Sequence, residues 1–180
     1  MAETARMSPS RPFGNSTSGK SPVFNAESMA ILTPLIVAMG VTVFTILNHA
    51  LAVWSVLHFV RRELRVGYAG TRFWTDVPIV AGVVLLALIA HVVDICMWAL
   101  TLVVCGEFSQ FAPAFYASAA NYTSLGDSSS VISPSWKLLA PLETGNGLLM
   151  FGISTAMIFA VIQRLTQTRF DKEDKMPRSA

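Results

Sequence analysis

The 180-residue chain is 53% hydrophobic and only 13% charged, and its mean hydropathy is +0.54. This composition excludes an ordinary soluble domain and indicates a membrane protein with several spans. The formal net charge is only +2, and the basic residues are spread over loops and tails, which excludes a nucleic-acid-binding surface.

The N-terminal part contains a tail and two predicted spans. Residues 1–28 are rich in Ser, Pro, Thr and Gly and lack apolar periodicity, which predicts a disordered tail. Residues 29–104 contain two apolar runs, 30–60 and 77–104, each longer than the roughly 20 residues that cross hydrocarbon. The loop of residues 61–76 between them contains four arginines, which assigns it to the cytoplasmic side.

Four polar side chains interrupt these runs: Asn48, His49, His91 and Asp94. His91 and Asp94 are three residues apart, so they share a helix face. Ionisable groups inside a membrane indicate a function unless partners such as Asn48 or His49 satisfy them as a structural pair, and both interpretations stay open. His49, His91 and Asp94 are just enough ligands for a metal ion, but sequence spacing does not show that they converge. No metal site is predicted.

Residues 105–164 form a second module. The run Phe111–Tyr122 is too short to cross a bilayer and predicts a re-entrant half-helix, followed by a polar turn at residues 123–127. Residues 138–162 predict the third span, and residues 165–180 a cytoplasmic tail. The predicted fold is an all-α membrane protein with three transmembrane helices, a re-entrant pore helix and a filter-like loop.

The basic residues predict the orientation. Four lie in the 61–76 loop and five follow from Arg164 onward, so nine of the 13 are on one side when that loop and the C-terminal tail are both cytoplasmic. Three spans then place the N-terminus and the polar turn outside. The predicted location is the inner, cytoplasmic membrane of a cell.

Three stretches carry a recognisable pattern: residues 115–126 (FYASAANYTSLG), 133–143 (SPSWKLLAPLE) and 145–152 (GNGLLMFG). They resemble the pore helix, filter and inner helix of small bacterial potassium-channel-like proteins, a family of pore-loop ion channels. In that family the filter reads Thr-Thr-Leu-Gly-Tyr-Gly-Asp, and its distance to a following Ser-Pro matches this chain without a gap. The two earlier spans resemble the family only loosely.

The resemblance implies a selectivity filter made of Thr123, Ser124, Leu125, Gly126 and Asp127. The first four match the family, whereas Asp127, Ser128 and Ser129 stand where Tyr, Gly and Asp are expected, so the potassium signature is broken. Gly126 is expected to keep a left-handed backbone conformation that the filter needs. In a tetramer, Asp127 would form a ring of four carboxylates that attracts cations.

The resemblance also implies residues that support the filter: Tyr122, Ser128, Ser129 and Glu143. Glu143 is expected to brace the filter from behind; the alternative is an interface carboxylate near a helix N-terminus. Gly147 and Gly152 are candidates for an inner-helix hinge, with close helix packing as the alternative. One pore loop cannot enclose an axis, so the resemblance implies a homotetramer.

The leading functional prediction is a cation channel subunit, with passive permeation of monovalent or mixed cations through a tetrameric pore with an altered filter. The alternative is a non-conducting membrane scaffold or accessory subunit that keeps the pore fold, and a third is a metalloenzyme using His49, His91 and Asp94. No catalytic residue and no enzyme activity is predicted. The expected partners are membrane lipid, inorganic cations and other copies of the chain, without nucleic acid; no cofactor is expected apart from a permeating cation such as potassium.

Overall fold

The computed structural model describes residues 22–67, 73–126 and 131–174, and these are all-helical without strands. Four helices follow one another: α1 (Pro22–Val66), α2 (Phe73–Val104), α3 (Phe111–Tyr122) and α4 (Leu139–Asp174). The predicted all-α class is confirmed. The structure does not describe residues 1–21, 68–72, 127–130 and 175–180, so the predictions made for them lie outside the described residues.

Three of the helices are long and apolar enough to cross a membrane, over Ile31–Val66, Trp74–Val104 and Leu139–Lys172. Many of their large apolar side chains point away from the protein, for example Leu85 of α2 and Leu149 of α4. A surface of this kind suits lipid rather than water. The three predicted spans are therefore found as three candidate transmembrane helices.

Helix α1 begins earlier than its apolar run. Its first residue is Pro22, although residues 1–28 were predicted as a disordered tail. The segment of α1 that is apolar enough to span a membrane starts at Ile31, close to the predicted start at residue 30. The preceding residues continue the same helix without adding to the span.

The helices pack around two apolar clusters. One surrounds α3 and contains Trp98 and Leu102 of α2, Tyr122 of α3, and Leu139 and Met150 of α4. The other joins the opposite ends of the three long helices. Helix α3 is only 12 residues long and packs against the much longer α2 and α4.

Polar contacts tie the helix ends together at both sides. Arg169 near the end of α4 forms an ion pair with Asp76 in the first turn of α2. At the other end, Glu107 accepts hydrogen bonds of 2.7 Å from both the backbone N–H and the hydroxyl of Ser133. Glu107 lies just after the end of α2, whereas Ser133 follows α3. The contact therefore brings the chain that follows α3 back to the end of α2.

Glu107 also affects Cys105, whose thiol lies just beyond α2. Burial raises the pKa of this thiol above its ordinary value, and the Glu107 carboxylate raises it further. Glu107→Gln removes the second cause, so we expect a lower apparent pKa and severalfold faster alkylation near neutral pH. The measurement is the alkylation rate against pH in a Cys96→Ser background. An unchanged apparent pKa with a higher plateau rate would show that only access to the thiol has changed.

Candidate functional site

A network of buried polar side chains joins the helices near the middle of the spans. Its centre is Asp94 of α2, which is 0% exposed. Asn48 Nδ2 of α1 donates a hydrogen bond of 2.8 Å to Asp94 Oδ1, and the Tyr122 hydroxyl of α3 donates one of 2.8 Å to Oδ2. His49 Nδ1 lies 3.2 Å from the same Oδ2 atom. Three predicted intramembrane polar residues therefore meet, and Tyr122 joins them.

His91, the fourth predicted residue, completes the cluster. Its Nδ1 atom lies 3.1 Å from the Tyr122 hydroxyl. Because that hydroxyl donates its only proton to Asp94, His91 Nδ1 is the donor in this bond. The His91 ring packs against Phe151 of α4 and against His49, with centroid distances of 4.3 and 4.9 Å.

The surroundings of His49 assign its tautomer. Its Nδ1 atom lies 3.2 Å from the backbone carbonyl oxygen of Thr45, which only accepts, so Nδ1 carries the proton. The Nε2 atom is buried and has no hydrogen-bond partner among the described residues. The Thr45 hydroxyl lies 3.1 Å from Asn146 Oδ1, which extends the network to α4.

The same cluster has the composition of a metal site. His49, His91 and Asp94 are all buried, and each offers one donor atom such that the three atoms lie within 4.8 Å of one another. The convergence that sequence spacing left open is therefore present. Two imidazoles and a carboxylate are ligands that zinc and similar ions accept.

A second group of polar contacts holds the end of α3 against α4. The fully buried Glu143 carboxylate accepts hydrogen bonds from the Ser118 hydroxyl and, over 3.1 Å, from Asn121 Nδ2. The Thr144 hydroxyl, one residue further along α4, donates a bond of 2.9 Å to the backbone oxygen of Asn121. These contacts hold the last turns of α3 against α4, and the predicted bracing of the filter by Glu143 stays a prediction.

The chain leaves α3 through a left-handed residue. Ser124 has φ 57°, its N–H bonds to the Asn121 oxygen, and the N–H of Leu125 bonds to the Ala120 oxygen. This pairing is a Schellman motif, which normally places glycine at the left-handed position, so serine there costs on the order of 1 kcal/mol. Gly126 is not among the described glycines with positive φ, so its expected left-handed conformation is not found.

The remaining predicted residues differ in their surroundings. Thr123, Ser124, Leu125 and Gly126 form an exposed turn, whereas Asp127, Ser128 and Ser129 lie outside the described residues. Gly147 is buried against the end of α3, and a Cβ atom there would lie 2.2 Å from the Tyr122 carbonyl oxygen. A Cβ atom on Gly152 would meet nothing within 4 Å among the described residues. Close packing, rather than a hinge, is the role that the contacts of Gly147 favour.

Substitutions at Glu143 test how the brace works. In Glu143→Gln, the side-chain oxygen of the glutamine still accepts the hydrogen bond from Asn121. Its NH₂ group donates to the Ser118 oxygen, and the Ser118 hydroxyl donates to the Ile95 carbonyl oxygen 3.0 Å away. We expect a stability within about 1 kcal/mol of wild type. Glu143→Leu has no acceptor and should lose about 2 kcal/mol. Unfolding in detergent measures both, and equal losses in the two variants would contradict a hydrogen-bonded brace.

Sequence reasoning missed several members of the site. Tyr122 was assigned only to filter support, but its hydroxyl links Asp94 to His91. Ser118 and Asn121 were not singled out, although two polar residues three apart on a short apolar helix share a face and signal a polar partner there.

Comparison with family models, with curated proteins and with solved structures finds no match to this chain. The resemblance to potassium-channel-like proteins therefore stays a prediction that rests on the motif residues.

Proposed function

We propose that the chain is a subunit of an oligomeric membrane protein through which cations pass passively, with residues 123–127 as the narrow segment. The observation that carries the proposal is the position of the end of α3. A short helix ends against the middle of a long apolar one, and a polar turn follows it.

The contacts of Tyr122 support a turn deep in the membrane. This last residue of α3 bonds to Asp94 and His91 of α2. His91 precedes the end of α2 at Val104 by a length of helix of about 20 Å, at 1.5 Å per residue. The hydrocarbon core is roughly 30 Å thick, so the turn after Tyr122 would lie near its middle. Non-helical backbone at that depth needs surrounding protein or a water-filled cavity.

The contact between Glu107 and Ser133 supports a re-entrant path. Glu107 precedes α3 and Ser133 follows the turn, yet their atoms are 2.7 Å apart. A chain that goes in at Phe111 and is back beside Glu107 at Ser133 enters and leaves the membrane on one side.

The exposure of the turn supports an assembly of several copies. Leu125 is 85% exposed and Tyr116 of α3 is 76% exposed. At membrane depth these surfaces would be covered by neighbouring subunits or face a shared aqueous path, since one turn encloses no axis. We propose the homotetramer that the family resemblance implies, in the inner membrane, with the N-terminus outside and the C-terminus in the cytoplasm.

The chemistry of this path favours cations. The C-terminal end of α3 carries the negative end of its helix dipole, and Asp127 adds a carboxylate from each copy. The broken Tyr-Gly-Asp sequence argues for monovalent or mixed cations rather than strict potassium selectivity.

A flux assay tests the proposal. Purified protein in liposomes should pass potassium, sodium or calcium along imposed gradients, and Asp127→Asn should change their relative rates because it removes a ring of charge. Asp171→Asn is the matched control, since Asp171 is an exposed carboxylate on α4 far from the turn in sequence. Absence of cation flux in every gradient for a correctly assembled wild-type protein would overturn the proposal.

A second candidate is a non-conducting scaffold that keeps this architecture. The Schellman motif at Ser124 favours it, because backbone groups at the start of the turn bond back to α3 instead of remaining open. The triple variant D127Y/S128G/S129D distinguishes the two candidates. Potassium flux in this variant would support the channel. Absence of potassium flux in both the wild type and the variant would favour the non-conducting scaffold.

A further inference from the structure

We propose that His49, His91 and Asp94 bind a divalent transition-metal ion of the zinc type inside the helix bundle. Their three donor atoms lie within 4.8 Å of one another. This site is separate from residues 123–127 and does not rest on the proposed permeation.

The spacing of the donor atoms is close to that of a coordinated ion. With metal–ligand distances of about 2.0–2.1 Å, neighbouring ligand atoms in a tetrahedral zinc site are roughly 3.3 Å apart. The widest separation in the cluster therefore has to close by about 1.5 Å or less, which side-chain rotation supplies. A water molecule takes the fourth position.

Neighbouring groups already orient both rings. The Thr45 carbonyl holds one nitrogen of His49, and the Tyr122 hydroxyl holds one nitrogen of His91. Metal-binding histidines commonly donate their other ring N–H to a carboxylate, a backbone carbonyl or a water molecule. The buried Nε2 of His49 has no partner among the described residues, so the protein groups described leave this polar atom unsatisfied.

Charge and ligand type select the ion. Asp94 is 0% exposed, and the nitrogen of His49 lies 3.2 Å from its carboxylate. A divalent ion supplies the positive charge that a buried carboxylate needs. Two imidazole nitrogens suit zinc, cobalt, nickel or copper, whereas magnesium and calcium need about six oxygen ligands.

The first experiment counts metal in the intact protein. Wild-type chain is produced with added zinc, purified in detergent, washed with a weak chelator and analysed by mass spectrometry. We expect about one ion per chain and a loss of most of it in the double variant H49Q/H91Q. His58→Gln is the matched control. His58 is an exposed histidine on α1, the helix that carries His49, so this variant should keep the metal content of wild type.

A second measurement needs no substitution. Wild-type protein produced with cobalt in place of zinc should show the intense visible absorption of tetrahedral cobalt with nitrogen and oxygen ligands, and metal removal should lower its melting temperature. If wild type carries neither ion stoichiometrically, or if H49Q/H91Q keeps it, the site is overturned. If the double variant does not fold, the cobalt spectrum of wild type decides. None of these results bears on cation flux, which the liposome assay measures independently.

Discussion

Gly147→Ala should strongly destabilise the protein. The added Cβ atom would lie 2.2 Å from the carbonyl oxygen and 3.0 Å from the carbonyl carbon of Tyr122. These are backbone atoms of the last residue of α3, so no side chain can rotate away and α3 itself must move. Overpacking of a core costs about 1–3 kcal/mol, and we expect this variant at or above the upper limit. Thermal unfolding in detergent measures the loss.

Two other glycines of α4 provide matched controls. A Cβ atom on Gly145 or Gly152 would meet nothing within 4 Å among the described residues. Alanine at an exposed helix position is favoured over glycine by about 0.5–1 kcal/mol, so these variants should keep or raise stability. Similar losses for all three variants would contradict the close approach at Gly147. A change of flux in Gly152→Ala at unchanged stability would instead support its predicted role as a hinge.

Asp94→Ala should cause the second large loss. The substitution removes the acceptor of the hydrogen bonds from Asn48 and Tyr122 and the carboxylate beside His49. Hydrogen bonds within membrane bundles average only about 0.6 kcal/mol, which gives a lower estimate near 2 kcal/mol for the three contacts. Leaving a buried donor without its acceptor costs about 1–3 kcal/mol per donor, which gives a higher estimate.

Graded variants separate the contributions of Asp94. Asp94→Asn keeps the shape and one acceptor oxygen, so it should lose less than Asp94→Ala. Tyr122→Phe removes the bond to Asp94 and the bond from His91 but keeps the Asp94 carboxylate, so it should also lose less. Asp171→Ala removes an exposed carboxylate of α4 and should stay within about 0.5 kcal/mol of wild type. The prediction fails if Asp94→Ala unfolds at the same denaturant concentration as Asp171→Ala.

Much of the fold follows from hydropathy along the chain. The apolar runs are long enough to identify three spans, and Phe111–Tyr122 is short enough to be separated from them. Helical spacing places His91 and Asp94 on one face, because both belong to the same helix. Spacing within one helix does not predict the contact of Tyr122. Its hydroxyl reaches Asp94 through the packing of two separate helices.

Two details of the backbone were also not predicted from the sequence. The left-handed residue was expected at Gly126, since glycine takes that conformation without steric cost. The structure places it at Ser124, two residues after the end of α3 at Tyr122, where the Schellman motif closes the helix. The close approach at Gly147 likewise depends on the depth at which α3 ends, which a motif does not specify.

The bond from Asn48 to Asp94 has a consequence for how the chain is made. Both partners belong to α1 and α2, which precede α3 and α4 in the chain. A hairpin of these two helices contains this hydrogen bond without help from α3 or α4, and such a bond lowers the cost of placing an ionisable group in lipid. Tyr122 then adds its own bond to Asp94 when α3 docks. If the helices enter the membrane in chain order, Asp94 thus has a hydrogen-bond partner on α1 before α3 docks.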